Sequence, residues 1–358
     1  MKLTRRALNR ATLARQLLLR RERVAPLDAV ARLAGMQAQL AKPPFVGLWT
    51  RLEKFEAGDL RALIANRKVV RATLMRGTIH LVTTDDFLAW RMPIHPVLAA
   101  ISGEQDVARL TAIARKFFDA EPCTFDALRK HLAERFPDGD ERNMAYVVRM
   151  HLPLVLVPDD SPWGWAGNAP FAVAETYLGR KVAKSTDARQ LALRYLAAFG
   201  PATAADFQTW SGLRTAKAVL EELRPQLVTF EGEKKKSELF DLPDAPRPDE
   251  DTPAPVRFLP EYDNLLLSHA DRSRLISDDH RKRIATNNLR LPGTFLVDGT
   301  VAGMWTAPKK KGEKLGLEPF VKLDRATKKA LDEEASALAA FWSAEATGGC
   351  LKSSPYSA

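Results

Sequence analysis

Residues 35–44 read GMQAQLAKPP, so two glutamines flank one alanine shortly before a double proline. In an ideal helix, residues i and i+2 lie about 200° apart around the axis, so Gln37 and Gln39 could not face one pocket. Proline removes a backbone donor and restricts the residue before it, so the two prolines disfavour helix at this point. We therefore predict that a helix over residues 27–39 unwinds at its end, which lets both amides point into the same cavity.

Helical and strand patterns alternate along the first two thirds of the chain. The apolar spacing predicts helices over residues 3–23, 27–39 and 55–66, and residues 69–82 follow as strand, tight turn and strand. Helices closed by a β-hairpin are typical of a winged helix, and this order of elements recurs twice before residue 242. The second copy includes a short hairpin between residues 154–158 and 163–165.

The last third of the chain has a different character. An acidic segment rich in proline is followed by four predicted strands, over residues 256–260, 265–268, 293–297 and 301–306, and by a closing amphipathic helix. The pattern predicts an α+β fold with three tandem winged-helix units followed by a β-rich C-terminal unit. The boundaries are 1–100 for the first winged-helix unit with the glutamine motif, 101–184 and 185–242 for the next two, 243–255 for the linker, 256–346 for the β-rich unit and 347–358 for a tail.

Composition limits the classes of function. The 358 residues include 54 Lys+Arg against 44 Asp+Glu, a net charge of +10 that favours a polyanionic partner, although such an excess is also common in plain enzymes. The two cysteines, Cys123 and Cys350, form no paired-cysteine zinc motif, and the six histidines show no HExxH spacing. No run approaches the about 20 apolar residues that span a bilayer. We expect no metal, no cofactor, no membrane contact and a reducing cytoplasm.

The glutamine motif and three later blocks resemble one protein family. The later blocks read MRGTIHLV at residues 75–82, FLPEYDN at 258–264 and VDGTVAGMW at 297–305. In this order they resemble the AlkZ-like DNA glycosylases, bacterial enzymes that release bulky alkylpurines and unhook crosslinks made by azinomycin-type natural products. The resemblance spans roughly residues 5–345. It implies three winged helices around duplex DNA, and bulky adducts handled without the complete base extrusion that most glycosylases use.

The resemblance also implies that Gln37 and Gln39 are catalytic. An N7- or N3-alkylated purine carries positive charge, so it leaves with little help from a general acid. The catalyst must position a water and stabilise a sugar that acquires oxocarbenium character. Glutamine carbonyl oxygens can accept hydrogen bonds from the water. We assign Gln39 to water positioning and Gln37 to orienting the water or the sugar; alternatively, the pair only solvates the carbonyls of a helix end.

Two regions near the N-terminus are candidates for DNA contact. Arg6 and Arg10 lie on the cationic face of the first predicted helix, which can follow a phosphate backbone or remain a solvated face. In the first predicted wing, Arg76 and Thr78 can hold a phosphate at the turn, with a purely structural turn as the alternative. His80 can contact the lesion or a phosphate, or can be a packed core histidine.

The C-terminal unit holds two further groups of candidates. The turn at Asp298-Gly299 and the lysines Lys309 and Lys310 form a predicted DNA-clamping element, with a solvated lysine loop as the alternative. Three carboxylates, those of Glu261, Asp263 and Asp271, could instead indicate paired-carboxylate hydrolysis. Their position beside a strand favours a structural role.

The resulting hypothesis is a monofunctional DNA glycosylase that hydrolyses the N-glycosidic bond of alkylated purines, acting in repair or in self-resistance to a DNA-alkylating metabolite. It would use water, since no lysine is marked as a nucleophile. Its partner would be double-stranded DNA with alkylated purines, and the protein would act as a monomer in a bacterial cytoplasm, associated with the nucleoid through DNA. The alternative is a non-catalytic winged-helix protein, either a transcription factor or a protein that sequesters a lesion or drug.

Overall fold

The computed structural model describes residues 2–102, 106–232, 237–285, 290–308 and 313–347. The first part of the chain forms α1 (Arg5–Arg15), α2 (Pro26–Arg32), β1 (Met36–Gln37), α3 (Pro43–Arg51), α4 (Ala57–Ala65), β2 (Val69–Thr73) and β3 (Ile79–Thr83). The middle forms α5 (Thr84–Ser102), α6 (Val107–Ala120), α7 (Phe125–Arg135), α8 (Glu141–His151), β4 (Leu154–Leu156), β5 (Phe171–Val173) and α9 (Ala174–Leu178).

The remaining elements complete the third helical region and the C-terminal unit. They are α10 (Arg189–Phe199), α11 (Ala204–Ser211), α12 (Ala216–Leu223), β6 (Val228–Glu231), β7 (Glu238–Asp241), β8 (Arg257–Leu259), α13 (Asp278–Ile284), β9 (Gly293–Val297), β10 (Thr300–Thr306), β11 (Gly316–Pro319) and α14 (Arg325–Thr347). The mixed helix and strand content of the predicted α+β fold is confirmed. The predicted strand at residues 265–268 is wrong, because Asp263 caps a one-turn 3-10 helix over Asn264–Leu266 instead.

One antiparallel sheet joins regions that the sequence pattern assigns to separate units. Its strand order is β1-β3-β2-β4-β5, and the pair Ala72 and Val155 links β2 to β4. The predicted hairpin with residues 163–165 is wrong, since Leu154 pairs with Val173 of β5. The two hairpins therefore share one sheet, and the division of the chain into three winged-helix units remains a prediction. A second, four-stranded sheet has the order β11-β10-β9-β8.

The predicted helix over residues 27–39 is wrong, because α2 ends at Arg32. Ala34 and Gly35 have φ values of 52° and 81°, and they donate hydrogen bonds to the carbonyls of Ala31 and Val30 at 3.0 and 3.1 Å. This is a Schellman motif, which closes a helix and redirects the chain. Glycine is required here, because a Cβ atom on Gly35 would lie 2.5 Å from Cγ1 of Val82.

The double proline also has a different role from the predicted one. Pro43 begins α3, and Pro44 follows in its first turn. Proline suits the first turn of a helix because the backbone N–H that it lacks has no partner there in any case. The glutamine motif therefore lies between a helix that ends early and a helix that the prolines start. The segment is extended, with Gln37 in strand β1.

Helix α1 is shorter and more deeply buried than the sequence predicts. It covers Arg5–Arg15 rather than residues 3–23, and Arg10 and Arg15 are 1% and 3% exposed. Arg15 pairs with Asp241 of β7 at 2.6 Å, and the predicted linker runs along the helix, where the carbonyl of Thr252 accepts a hydrogen bond from Arg10. The helix therefore connects the third helical region with the C-terminal unit.

A buried ion pair ties α3 to the turn after β8. Nη1 and Nη2 of Arg51 each donate to one oxygen of the Asp263 carboxylate at 3.0 Å, and the two side chains are almost fully buried. Removing one partner of such a pair leaves an uncompensated charge away from water. The pair therefore holds the start of the C-terminal unit against the helix that follows the glutamine motif.

We expect Asp263→Asn to lower the free energy of unfolding by about 3–5 kcal/mol, because the Arg51 charge loses its partner. Denaturant unfolding followed by circular dichroism measures the change. The control is Glu261→Gln, which breaks the more exposed pair with Arg290 and should cost no more than about 1 kcal/mol. Equal losses in the two variants would contradict the structural role of the buried pair.

Candidate active site

The glutamine motif is held at the edge of the five-stranded sheet by strand β3. Gln37 lies opposite His80 in the ladder, and the Ala38 N–H donates to the Ile79 carbonyl at 2.8 Å. Beyond this point the Gln39 side chain continues the pairing, since its Oε1 accepts from the Ile79 N–H at 3.3 Å. The edge strand therefore positions the backbone of one glutamine and the side chain of the other.

The Gln37 amide has a charged partner. Its Oε1 accepts a hydrogen bond from Nη2 of Arg76 at 2.8 Å, and the Gln37 residue is only 8% exposed. Arg76 lies in the turn between β2 and β3, three residues before Ile79, the partner of Gln39. One tight turn therefore holds both amide groups, which brings the two predicted catalytic residues together.

His80 is fully buried behind this turn. Its Nδ1 lies 3.1 Å from the Thr78 carbonyl, which can only accept a hydrogen bond, so Nδ1 carries the proton. Burial, together with repulsion from Arg76, lowers the pKa of His80 to about 3. The prediction that His80 contacts the lesion or a phosphate is wrong, because the side chain has no exposed surface.

The structural alternative fits Thr78 better than the phosphate-binding one. Its hydroxyl donates to the Met75 carbonyl at 3.1 Å, and its carbonyl accepts from the Leu74 N–H, so both groups serve the turn. Arg76 likewise directs two guanidinium nitrogens to protein acceptors, Oε1 of Gln37 and the carbonyl of Trp210. A role for these two residues in DNA binding stays a prediction.

The sequence reading missed two arginines: Arg71, which contacts the backbone of Gln39, and Arg149, which lies close enough to Arg71 to affect its pKa. Arg71 donates to the carbonyls of Ala38 and Gln39 at 2.8 and 3.0 Å, and Arg149 donates to Oγ1 of Thr73 at 3.1 Å. Burial and the nearby charge of Arg149 lower the pKa of Arg71 to about 10. Neither arginine has a carboxylate partner within the described part of the chain. A signal was available for Arg71, which is the one charged residue of the apolar strand β2.

The predicted cationic face of α1 is only partly exposed, and a contact of Arg6 with DNA stays a prediction. Arg10 is 1% exposed, and its guanidinium bonds to Asp298, to the Thr252 carbonyl and to Asn9. Arg6 is exposed but pairs with the same Asp298 at 2.6 Å. Because α1 is packed between other elements, the interpretation of Arg10 as a free cation is wrong.

The hairpin tip predicted to clamp DNA packs against α1 instead. Asp298 and Gly299 form the expected turn between β9 and β10, with φ values of 46° and 77°. A Cβ atom on Gly299 would lie 2.5 Å from Cδ1 of Leu13, and Asp298 pairs with both arginines of the helix. These contacts favour a structural role for the turn; because the Asp298 side chain is half exposed, a contact with DNA stays a prediction. Lys309 and Lys310 lie outside the described residues.

The three candidate carboxylates have structural partners. Asp263 is the buried partner of Arg51, Glu261 pairs with Arg290 at 2.5 Å, and Asp271 accepts from the Ser273 N–H at 3.0 Å. These contacts favour the structural reading over paired-carboxylate hydrolysis. Across the described ranges, no three His, Cys, Asp or Glu side chains are grouped so that they could hold a metal ion. In the same ranges no helix is long and apolar enough to cross a membrane.

Comparison with known proteins identifies the family. The family model described as DNA glycosylase AlkZ-like matches residues 30–341. The chain belongs to the AlkZ-like DNA glycosylases. It is 24% identical over 360 residues to an interstrand DNA cross-link repair glycosylase of Streptomyces sahachiroi. This alignment covers 91% of this chain and 93% of the relative. It is therefore a DNA glycosylase of a repair family, and its substrate is DNA.

A solved structure shows the same fold. The chain superposes on the Streptomyces sahachiroi DNA glycosylase AlkZ with a TM-score of 0.79 at 22% identity, over 96% of this chain and 98% of that one. The match spans nearly the whole chain, so the mixed helix and strand fold is that of the AlkZ structure, while the division into winged-helix units stays a prediction. Family membership favours the enzyme over the non-catalytic DNA-binding alternative.

The buried His80 predicts a pH dependence of stability. A histidine whose pKa is lower in the folded state than its unfolded value of about 6.5 stabilises the fold most at pH values above 6.5. The free energy of unfolding then decreases as the pH falls toward 3. We expect His80→Asn to remove this loss, because the asparagine amide can still donate to the Thr78 carbonyl.

Between pH 7.5 and pH 5, the free energy of unfolding of the variant should therefore fall by about 2 kcal/mol less than that of the wild type. Denaturant titrations at the two pH values measure both declines, and other histidines affect both proteins equally. Identical declines would show that His80 takes up a proton in the folded state.

Proposed function

We propose that this glycosylase hydrolyses the N-glycosidic bond of N7- or N3-alkylated purines in duplex DNA, including bulky adducts and interstrand crosslinks, and that it acts as a monomer. The observation that carries the proposal is the pair of neutral amides, Gln37 and Gln39, held by one turn at the sheet edge. Amides are weak bases, so a site built on them suits substrates whose base leaves readily. Alkylated purines meet that condition because the leaving base already carries positive charge.

The surroundings of the pair support a water nucleophile. Glu261 and Asp263 are engaged with arginines, so neither carboxylate is free to attack the sugar. Gln39 is the more exposed of the two glutamines, and its oxygen has a second lone pair available for a water. We assign water positioning to Gln39 and orientation of the water or the sugar to Gln37.

The shape of the site supports a bulky lesion that stays near the duplex. The pocket that borders Gln37 has a volume of about 10 Å³, which is that of a single water and far too small for a purine. Gln39 and Leu40, by contrast, are exposed at the surface. A lesion would therefore meet the glutamines at an open edge, which sets no tight limit on the size of the adduct.

Two positive charges near this edge support DNA binding here, because Arg71 bonds to the Gln39 backbone and Arg149 lies close to Arg71. Arg149 is partly exposed, and Tyr146, three residues earlier on the same face of α8, is 38% exposed. A guanidinium without a carboxylate partner attracts a phosphate, and an exposed aromatic ring offers a surface for a base. We assign Arg149 to a phosphate of the lesion strand.

The first test is a single-turnover assay on duplex DNA with N7-methylguanine or a bulkier N7-guanine adduct, in which abasic sites are scored by alkaline cleavage. The wild type should release both bases. Gln39→Ala should lower the rate at saturating enzyme by about 100-fold, since it removes a group that acts in the transition state, while the Kd for DNA changes little. Wild-type protein that binds the DNA but releases neither base would contradict the proposal and favour a lesion-binding role.

The second test concerns Arg149. Arg149→Met should weaken DNA binding on every sequence, and the slope of log Kd against log salt should fall by about 1. Fluorescence anisotropy at several salt concentrations measures both. The matched control is Arg129→Met, on the exposed side of α7, where the arginine is already paired with Asp126. An equal change in the two variants would assign the effect to net charge alone.

A further inference from the structure

Arg76 has an unusual backbone conformation for its side chain. Its φ of 57° lies in the left-handed region, which arginine rarely adopts, and Gly77 follows with a φ of 71°. Such a conformation in a residue other than glycine persists only where the surrounding contacts hold it. Here Nη1 donates to the Trp210 carbonyl in the last turn of α11, where carbonyls lack helical partners, and Nη2 donates to Gln37.

The contact with Arg76 determines which way the Gln37 amide points. A guanidinium has donors but no acceptor, so it can bind only the carbonyl end of an amide. The Nε2 group of Gln37 must therefore point away from Arg76. The bond is short at 2.8 Å and charge-assisted, and the side chain has little exposed surface.

Gln39 is held much less firmly. Its Oε1 lies 3.3 Å from the Ile79 nitrogen, beyond the usual range for such a bond, and the residue is exposed. Its oxygen can turn toward a water without losing a strong contact. The two glutamines therefore differ in freedom, although the sequence motif presents them as equivalent.

We propose that Arg76 is a positioning residue that fixes the Gln37 amide with its N–H groups toward the reacting water, so that Gln37 acts as the hydrogen-bond donor and Gln39 as the acceptor of the pair. This inference rests on the proposed function. Arg76 also draws electron density toward the Gln37 oxygen, which makes that oxygen a poorer acceptor and the N–H groups better donors.

The division of roles gives a balanced step. The attacking water accepts a hydrogen bond from Nε2 of Gln37 and donates one to Oε1 of Gln39. The remaining lone pair of the water oxygen then points at C1′. A bond forms between the water oxygen and C1′ as the C1′–N bond breaks. The electrons of the broken bond leave with the base and neutralise its positive charge, and a proton of the water passes to solvent.

The decisive variant is Gln37→Glu, which keeps an oxygen acceptor for Arg76 and replaces the N–H donors with a second oxygen. We expect the single-turnover rate at saturating enzyme to fall about 100-fold, which is the usual effect of removing one oriented hydrogen-bond donor from an enzyme active site. The Kd for DNA should be almost unchanged. A rate equal to or above that of the wild type would overturn the proposal, because Gln37 would then act through its oxygen.

A second set of variants tests the arginine. Arg76→Asn suits the left-handed backbone but cannot reach Gln37, so the fold is retained. We expect the rate to fall about 10-fold or more, and we expect the two side-chain N–H signals of Gln37 in ¹⁵N spectra of the full chain to move toward those of the exposed Gln39. Arg76→Lys should restore part of the rate. The charge control is Arg272→Met, which removes the cation that helps to lower the pKa of Arg76 but leaves the bond to Gln37.

The spectra separate this inference from the proposed function, because they require no substrate. Unchanged Gln37 signals in Arg76→Asn would show that the arginine does not fix the amide. Equal losses of rate in Arg76→Asn and Arg272→Met would assign the effect to charge and overturn the positioning role. If the wild type releases no base while the signals move as expected, the proposed lesion chemistry fails and the contact between Arg76 and Gln37 stands.

Discussion

The pairing of two residues, Met36 and Gln37, with strand β3 is the constraint on which the site depends. It requires α2 to end early, in a Schellman motif with Gly35 packed against Val82, because a continuing helix would separate the two glutamines around its axis. It also uses an edge strand, where one side of the backbone remains free for a ligand. The turn before β3 then supplies Arg76, so a single hairpin defines the site.

Buried arginines organise the rest of the molecule, and they do so in two ways. Arg15, Arg51 and Arg10 have carboxylate partners, and these pairs join α1 and α3 to the third helical region and the C-terminal unit. Arg71 and Arg76, in contrast, bond to carbonyl or amide oxygens, and burial lowers the pKa of each to about 10. The first three arginines are neutralised where elements are held together, whereas Arg71 and Arg76 have no carboxylate partner within the described residues.

Much of this arrangement could be predicted from the sequence, and the limits have physical causes. Periodicity located the helix predicted over residues 55–66, which is α4, and the hairpin predicted over residues 69–82, which is β2 and β3. The first residues of the glutamine motif were misassigned because local helix propensity continues past Arg32, while the Schellman motif depends on how Gly35 packs on a distant strand. The hairpin of Asp298 and Gly299 was found, but its contact with α1 could not be, since tertiary packing decides which way a turn faces.

The choice of amides in a strongly cationic site has an electrostatic reason. A carboxylate at position 37 would form an ion pair with Arg76, and this pair would hold both partners and leave no N–H donor at position 37. A neutral amide accepts one hydrogen bond from Arg76 and keeps its N–H groups available. In the proposed mechanism the cost is weak basicity, so the enzyme would depend on substrates whose own positive charge drives departure of the base. The neutral pair and the arginines without carboxylate partners in the described residues therefore both favour the proposed substrates, cationic lesions in a polyanionic duplex.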